Sequence, residues 1–176
     1  MGVPVVDLPK MSILGLSYTS PFTAIRFVLA GTTRRGGSSW TDLTLIEMVA
    51  AYYRIGAEEH VRPEVGLGQS AKETGYWTFE GDVRASQWNF AGIGATGGGR
   101  PGISWPSLEE GVRGHLRRLR MYASASAPYD LDILRRSLPL SYWGASPDVE
   151  DLGGRWAKSP TYGISVRQYV NTLISS

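Results

Sequence analysis

Apolar residues recur at three- and four-residue spacing along much of the chain, a pattern that predicts mostly helices. From Thr41, the residues Leu43, Ile46, Ala50 and Tyr53 share one face of a helix that Ser39 and Asp42 cap and Gly56 ends. A second helix opens with Pro63 in its first turn and runs to Thr74, with Gly75 as its stop. Ser107-Leu-Glu-Glu110 fits the capping box, in which the Ser hydroxyl and the Glu carboxylate satisfy free N–H groups reciprocally. Leu108, Val112, Leu116 and Leu119 then form the apolar stripe of that helix. Shorter helices are expected over Pro21–Ala30, with Gly31 as the stop, near Asp130–Arg136, and from about Ile164 to Ile174.

The intervening segments lack such periodicity. Residues up to about Ser20 read as an extended, proline-punctuated arm, and Thr32 to Ser39 as a polar internal connection. An aromatic-rich loop runs from Tyr76 to Phe90, followed by a Gly-rich segment from Gly92 to Gly102. That segment has room for two short strands about a turn, but Gly97-Gly98-Gly99 excludes a long one. The expected fold is mainly α, with a small, irregular β-lobe. Residues 1–35 form an N-terminal arm and short helix, and 36–176 the main domain.

Composition narrows the function. At 176 residues the chain has the length of one compact domain and needs no metal or disulfide to fold. It has no cysteine, which excludes thiolate zinc sites, cysteine nucleophiles and disulfide scaffolds. A formal charge of +2 is too small an excess for a dedicated nucleic-acid binder. The apolar stretch Pro21–Ala30 is too short to span a bilayer and carries Arg26, so no membrane role is expected. The first ten residues lack a charged region followed by an apolar core, so no export leader is read there.

Several motifs have the form of a site without its context. Gly92-Ile-Gly94-Ala-Thr-Gly97 matches G-x-G-x-x-G, but Gly98-Gly99-Arg100-Pro101-Gly102 follows where a helix should, and position 117 is Arg rather than an acid. His60 and His115 are too far apart in sequence for a metal signature, and both read as solvated. Arg113, Arg117, Arg118 and Arg120 read as an exposed helix face, with attraction to an anionic polymer as the functional alternative. No G-x-S-x-G supports a Ser-His-Asp triad. Glu73 has more chemical content. It falls in the last turn of a helix, at the electronegative carbonyl end, beside Tyr76, Trp77 and Phe79, which can strip water from a carboxyl. Both effects push a pKa upward, as a general acid requires. A surface Glu at a helix end has the same spacing.

Four segments, in order, resemble the glucosaminidase domain of glycoside hydrolase family 73. Pro63-Glu-Val-Gly-Leu-Gly-Gln-Ser-Ala-Lys-Glu-Thr-Gly75 is similar to its Pro-started helix bearing Gln and then Glu-Thr/Ser-Gly. Trp88-Asn-Phe-Ala-Gly-Ile-Gly94 resembles its N-[FYP]-x-G-I element, and Ser104 to Leu116 its aromatic-then-helix stretch. Asp151-Leu-Gly-Gly-Arg-Trp-Ala157 and Ser159-Pro-Thr-Tyr-Gly163 resemble its C-terminal signature. The resemblance implies a lysozyme-like helical domain in which the β-lobe forms one wall of a cleft. It implies hydrolysis of the N-acetylglucosaminyl-β-1,4-N-acetylmuramyl bond of peptidoglycan, without cofactor or metal. Glu73 matches the family's general acid and Tyr162 its active-site tyrosine. Gln69, Trp77, Trp88, Asn89 and Phe90 match substrate-binding positions, with core packing as the other reading of Trp88 and Phe90.

The sequence departs from the family in one respect. Ala91 to Trp105 contains no Asp or Glu, where many members place a second acid. Glu80 and Asp82 are the nearest substitutes. The missing acid favours substrate assistance, in which the sugar's own 2-acetamido oxygen attacks the anomeric carbon. A lytic transglycosylase on the same scaffold is one alternative. A wall-binding or virion structural module that has lost the chemistry is another. The expected partners are peptidoglycan strands, with neither nucleic acid nor membrane. A Met start without a leader points to a phage lysin, a tail-associated enzyme or an excised domain. The expected place of action is the cell wall or a virion, with residues 1–35 as a candidate docking arm to a larger assembly.

Overall fold

The computed structural model describes residues 9–95, 97–100, 102–127, 134 and 138–176. Within them the protein is mainly helical: α1 (Pro21–Arg34), α2 (Asp42–Glu59), α3 (Pro63–Glu73), α4 (Leu108–Ala123) and α5 (Tyr162–Ile174). Three single-turn 3₁₀ segments lie at Ala85–Gln87, Leu140–Tyr142 and Val149–Leu152. The expected helix at Asp130–Arg136 falls outside the described residues except for Leu134, which is helical and buried. Among the described residues, no helix is long and apolar enough to cross a membrane.

α3 runs through the centre of the fold, and its sequence explains how. Pro63 occupies its first turn, where a missing N–H costs nothing. Gly66 and Gly68 weaken the helix intrinsically, by about 1 kcal/mol each against Ala, but they let its neighbours approach. A Cβ at Gly66 would meet the Tyr52 ring at 2.7 Å and Leu116 at 2.9 Å. One at Gly68 would meet Val170 at 2.7 Å. α2 and α4 thus pack on one side of α3 and α5 on another, around a core that includes Val65, Leu67, Leu116, Val166 and Val170.

The helix starts follow the sequence closely. Ser20, Thr41 and Ser107 accept from the N–H groups of Thr23, Thr44 and Glu110 at the starts of α1, α2 and α4. Thr41 is the α2 cap in place of the expected Ser39. Only the Ser107 half of the expected capping box forms among the described residues. Two helix ends differ more. Gly31 and Gly56 lie inside α1 and α2 rather than ending them. Both are packing positions: a Cβ would meet the Tyr76 ring at 2.2 Å and the Val61 carbonyl at 2.8 Å. The predicted stripe on α2 shares a face, but the outer one, with Leu43 66% and Ile46 37% exposed. The stripe in the core is Leu45, Met48, Val49, Tyr52 and Ile55.

The arm is fastened to the domain. Ile13 is fully buried; its N–H donates to the Pro147 carbonyl and its carbonyl accepts from Arg62 N. Buried Glu64 accepts from the N–H groups of Tyr18 and Thr19 through Oε1, both at 2.8 Å. α1 joins the same hydrophobic core through Ala24, Phe27 and Val28. The Arg-rich face of α4 is not simply solvated either: Arg113, Arg117 and Arg120 converge on Glu59 at 3.5, 2.8 and 3.6 Å. The small β-lobe is irregular. Its described residues carry one isolated antiparallel bridge, Gly97 to Arg100, and Ile103 N donates to the Ile93 carbonyl.

Candidate functional site

Glu73 ends α3, and the chain leaves it by an unusual path. After Thr74 and Gly75 (φ +61°), Tyr76, Trp77 and Phe79 all adopt left-handed conformations, at φ +58°, +60° and +54°. Bulky side chains in that region cost on the order of 1–2 kcal/mol each, and packing holds these three there. The Trp77 ring is fully buried and donates from Nε1 to Ser70 Oγ at 2.9 Å. The Tyr76 ring lies 5.6 Å from Phe27, and the Phe79 ring 4.8 Å from Trp40.

This coil forms part of the wall of a cavity of about 290 Å³, lined by Glu73, Phe79, Asp82, Gly92 and Trp156 among others. A second cavity of about 430 Å³ shares Ala91, Gly92, Ala95 and Trp156 with it and adds Arg118, Tyr122, Tyr142 and Arg155. The two adjoin at these four residues and are termed the two halves of a trough, with Trp156 lining both. Each half is near the lower end of the size of ligand sites, roughly 300–1,000 Å³.

Glu73 keeps a solvent-exposed face, yet protein packs around its carboxyl, and this desolvation pushes its pKa above the ordinary carboxylate value. The hydrogen bond from Tyr162 and the charge of Lys72 act the other way but do not cancel it. Exposure and desolvation are compatible, because a carboxyl in a trough wall meets water only on its open side.

A buried chain of hydrogen bonds fixes the carboxyl. Tyr162 OH donates to Glu73 Oε1 at 2.6 Å and itself accepts from Gln69 Nε2 at 2.8 Å. Gln69 Oε1 lies 2.8 Å from His115 Nε2, and His115 Nδ1 lies 2.7 Å from Tyr52 OH. With its nitrogen on Tyr162, the Gln69 amide can only accept at the other end, so His115 carries its proton on Nε2 and accepts from Tyr52 on Nδ1. Every bond then points toward Glu73. His115 is therefore not solvated, as the sequence suggested: it is fully buried, and burial depresses its pKa to about 3, leaving a neutral ring. Burial, reinforced by the nearby Glu73 charge, raises the Tyr162 phenol well above its ordinary pKa, so it remains a donor. With Oε1 accepting, Oε2 is the Glu73 oxygen left to carry a proton. It faces Gly92, where even a Cβ would lie 3.9 Å away.

No family model matches the chain. A relative from Borreliella burgdorferi, described only as an uncharacterized protein, is 31% identical over 116 residues. The match covers 66% of this chain and 56% of the relative, so the chain spans little more than half of that protein's length. No solved structure matches.

The residues nominated from sequence divide sharply. Glu73 and Tyr162 meet, and Asp82 lines the same cavity as Glu73. Glu80 is exposed and lines neither half of the trough. Of the expected substrate-binding residues, Asn89 alone lines either half of the trough. Gln69, Trp77 and Phe90 are buried and line neither half; Gln69 spends both amide ends inside the protein, and Phe90 packs on Trp40 and Tyr52. The Trp88 ring lies 5.0 Å from that of Trp40, tilted by 30°, and also lines neither half. Asn89 borders the first cavity, but its amide is consumed by Ile93 N, Ile93 O and Ile103 O at 2.9, 2.9 and 3.0 Å, clamping the Gly-rich lobe. Two further residues carry no sequence signal of their roles: Trp156 lies within the Asp151–Ala157 segment with nothing to mark it, and His115 is hidden among arginines.

Proposed function

We propose that the protein is a peptidoglycan hydrolase, an endo-β-N-acetylglucosaminidase in which Glu73 is the general acid and the trough holds the glycan strand. The carrying observation is the Glu73 carboxyl: raised in pKa, opening on a trough, and held through one oxygen by a buried tyrosine. Residues from three of the segments that resemble the glucosaminidase domain, Glu73, Gly92, Trp156 and Tyr162, come together at this trough, which supports the same reading. On it, the fold is lysozyme-like and the Gly-rich lobe forms one wall of the cleft.

In the proposed reaction the Glu73 Oε2 proton passes to the bridging oxygen as its bond to the anomeric carbon breaks. The 2-acetamido oxygen of the same sugar bonds to that carbon. Water then opens the resulting ring, returning a proton to Glu73. Tyr162 keeps its hydrogen bond to Oε1 throughout and offsets the carboxylate charge that develops. Asp82 on the same cavity favours a second route, inversion, in which it takes the proton of an attacking water.

Digestion of purified sacculi tests the proposal. Wild type should release fragments with reducing N-acetylglucosamine ends, and Glu73→Gln should release almost none. Anhydromuramic ends would indicate a lytic transglycosylase. Absence of cleavage by wild type would leave a wall-binding or virion structural module.

A further inference from the structure

The two halves of the trough differ in charge. Glu73 and Asp82 line the first, and no Lys or Arg is among the described residues around it. Arg118 and Arg155 line the second, and no Asp or Glu is among its described residues. The second half is also aromatic: Tyr122 and Tyr142 stack 6.2 Å apart at 29°, and Tyr122 lies 5.3 Å from Trp156.

The two cations are held differently. Arg118 is buried, donates to the Leu134 carbonyl at 2.7 Å and lies 5.7 Å from the centre of the Tyr122 ring, so it contributes field more than contact. Arg155 is exposed. One of its nitrogens is fixed on the Asp151 carbonyl at 2.8 Å, which orients the guanidinium and leaves further donors for a ligand. The Asp151 carboxylate is engaged elsewhere, by Lys10 at 2.5 Å. Tyr122 OH donates to the Arg155 carbonyl at 3.2 Å, tying the loop to the aromatic floor.

We propose that this second half is a subsite for a carboxylate-bearing substituent on a sugar ring, with Arg155 as the residue that reads the carboxylate. This rests on the glycosidase reading above and adds a direction to it. The acidic sugar lies toward Arg155, and the ring whose anomeric carbon is attacked lies toward Asp82. For a bond between N-acetylglucosamine and an N-acetylmuramic acid that carries no stem peptide, the acidic sugar is then the leaving group, and its free lactyl carboxylate meets the guanidinium; where a peptide is amide-linked to the lactyl group, this contact is lost. A neutral polymer of N-acetylglucosamine lacks this contact. A charge-assisted hydrogen bond of this kind discriminates by about 10-fold or more.

The test is binding to Glu73→Gln protein, read by tryptophan fluorescence. The probes are an N-acetylglucosaminyl-N-acetylmuramyl tetrasaccharide, its carboxyl methyl ester, and chitotetraose. The free acid should bind about 10-fold more tightly than its ester, and added salt should narrow the gap. Arg155→Gln should abolish the preference while keeping the affinity for chitotetraose; Arg155→Lys should retain part of it. Equal binding of acid and ester, or a preference that survives Arg155→Gln, overturns the subsite and leaves the hydrolase standing. If none of the three binds, both readings fall.

Discussion

The Tyr162 hydroxyl donates to Glu73 Oε1 across 2.6 Å, and Gln69 holds that hydroxyl from behind. Tyr162→Phe removes the donor and leaves the Gln69 amide unpaired. The bond favours the carboxylate, so its loss should move the Glu73 pKa still higher. Hydrogen bonds to charged groups are worth about 1.5–3 kcal/mol, which predicts a fall in turnover of roughly 10- to 100-fold. The high-pH limb of the rate profile, where a general acid ionises, should shift upward. A tyrosine that only supported the fold would lower stability and leave that limb in place.

Glu73 should also carry a cost in stability with a definite pH dependence. Its folded-state pKa lies above the unfolded value, so below the ordinary carboxylate range both states are protonated and nothing is lost. As pH rises through the folded pKa the unfolded state ionises more readily, and stability declines. Glu73→Gln removes the penalty while its side-chain oxygen still accepts from Tyr162. The variant should melt higher than wild type at pH 7, with the advantage fading near pH 4. A lower melting temperature at pH 7 would contradict the desolvated environment assigned to this carboxyl.

His115 works in the opposite direction. Its folded pKa, about 3, lies below the unfolded value, so its contribution is complete above roughly pH 6.5 and is lost as pH falls toward 3. The slope for one such group is about 1.4 kcal/mol per pH unit. His115→Asn should be less stable at pH 7, because Tyr52 and Gln69 lose a buried partner, but it should lose less on acidification. Denaturant titrations at pH 7 and pH 4.5 measure both effects. Equal losses in the two proteins would mean that the histidine is not held neutral.

These relationships show which features a sequence reveals. The ends of α3 were legible because Pro63 at its start and Gly75 past its end act within a few residues. Ser107 and the stripe Val112, Leu116 and Leu119 were legible for the same reason. The buried face of α2 was not. Leu43, Ile46, Ala50 and Tyr53 repeat at the same spacing as Leu45, Met48, Tyr52 and Ile55, and periodicity alone does not choose which stripe meets the core. Glu73 and Tyr162 stand in motifs that single them out, whereas the contacts of buried His115 are with Gln69 and Tyr52, both distant in sequence. Trp77, Trp88 and Phe90 illustrate a further limit: an aromatic that stacks on sugar and one that fills a core read alike.

The residue that separates the two hydrolytic routes is Asp82. If the acetamido group supplies the nucleophile, Glu73 is the sole essential carboxylate, and Asp82→Asn should change turnover by less than about 3-fold, a small barrier change. If Asp82 instead activates water on the opposite face of the ring, Asp82→Asn should lower turnover by the roughly 10²- to 10⁴-fold that general-base catalysis contributes. Glu80→Gln is the internal control, since Glu80 is exposed and lines neither half of the trough. The anomeric configuration of freshly released product gives an independent reading, because assistance by the acetamido group retains it and direct attack by water inverts it. The absence of an acid between Ala91 and Trp105 predicts retention, with little effect of Asp82→Asn. Inversion together with a large loss in that variant would assign the second catalytic carboxylate to the coil after α3 rather than to the Gly-rich lobe.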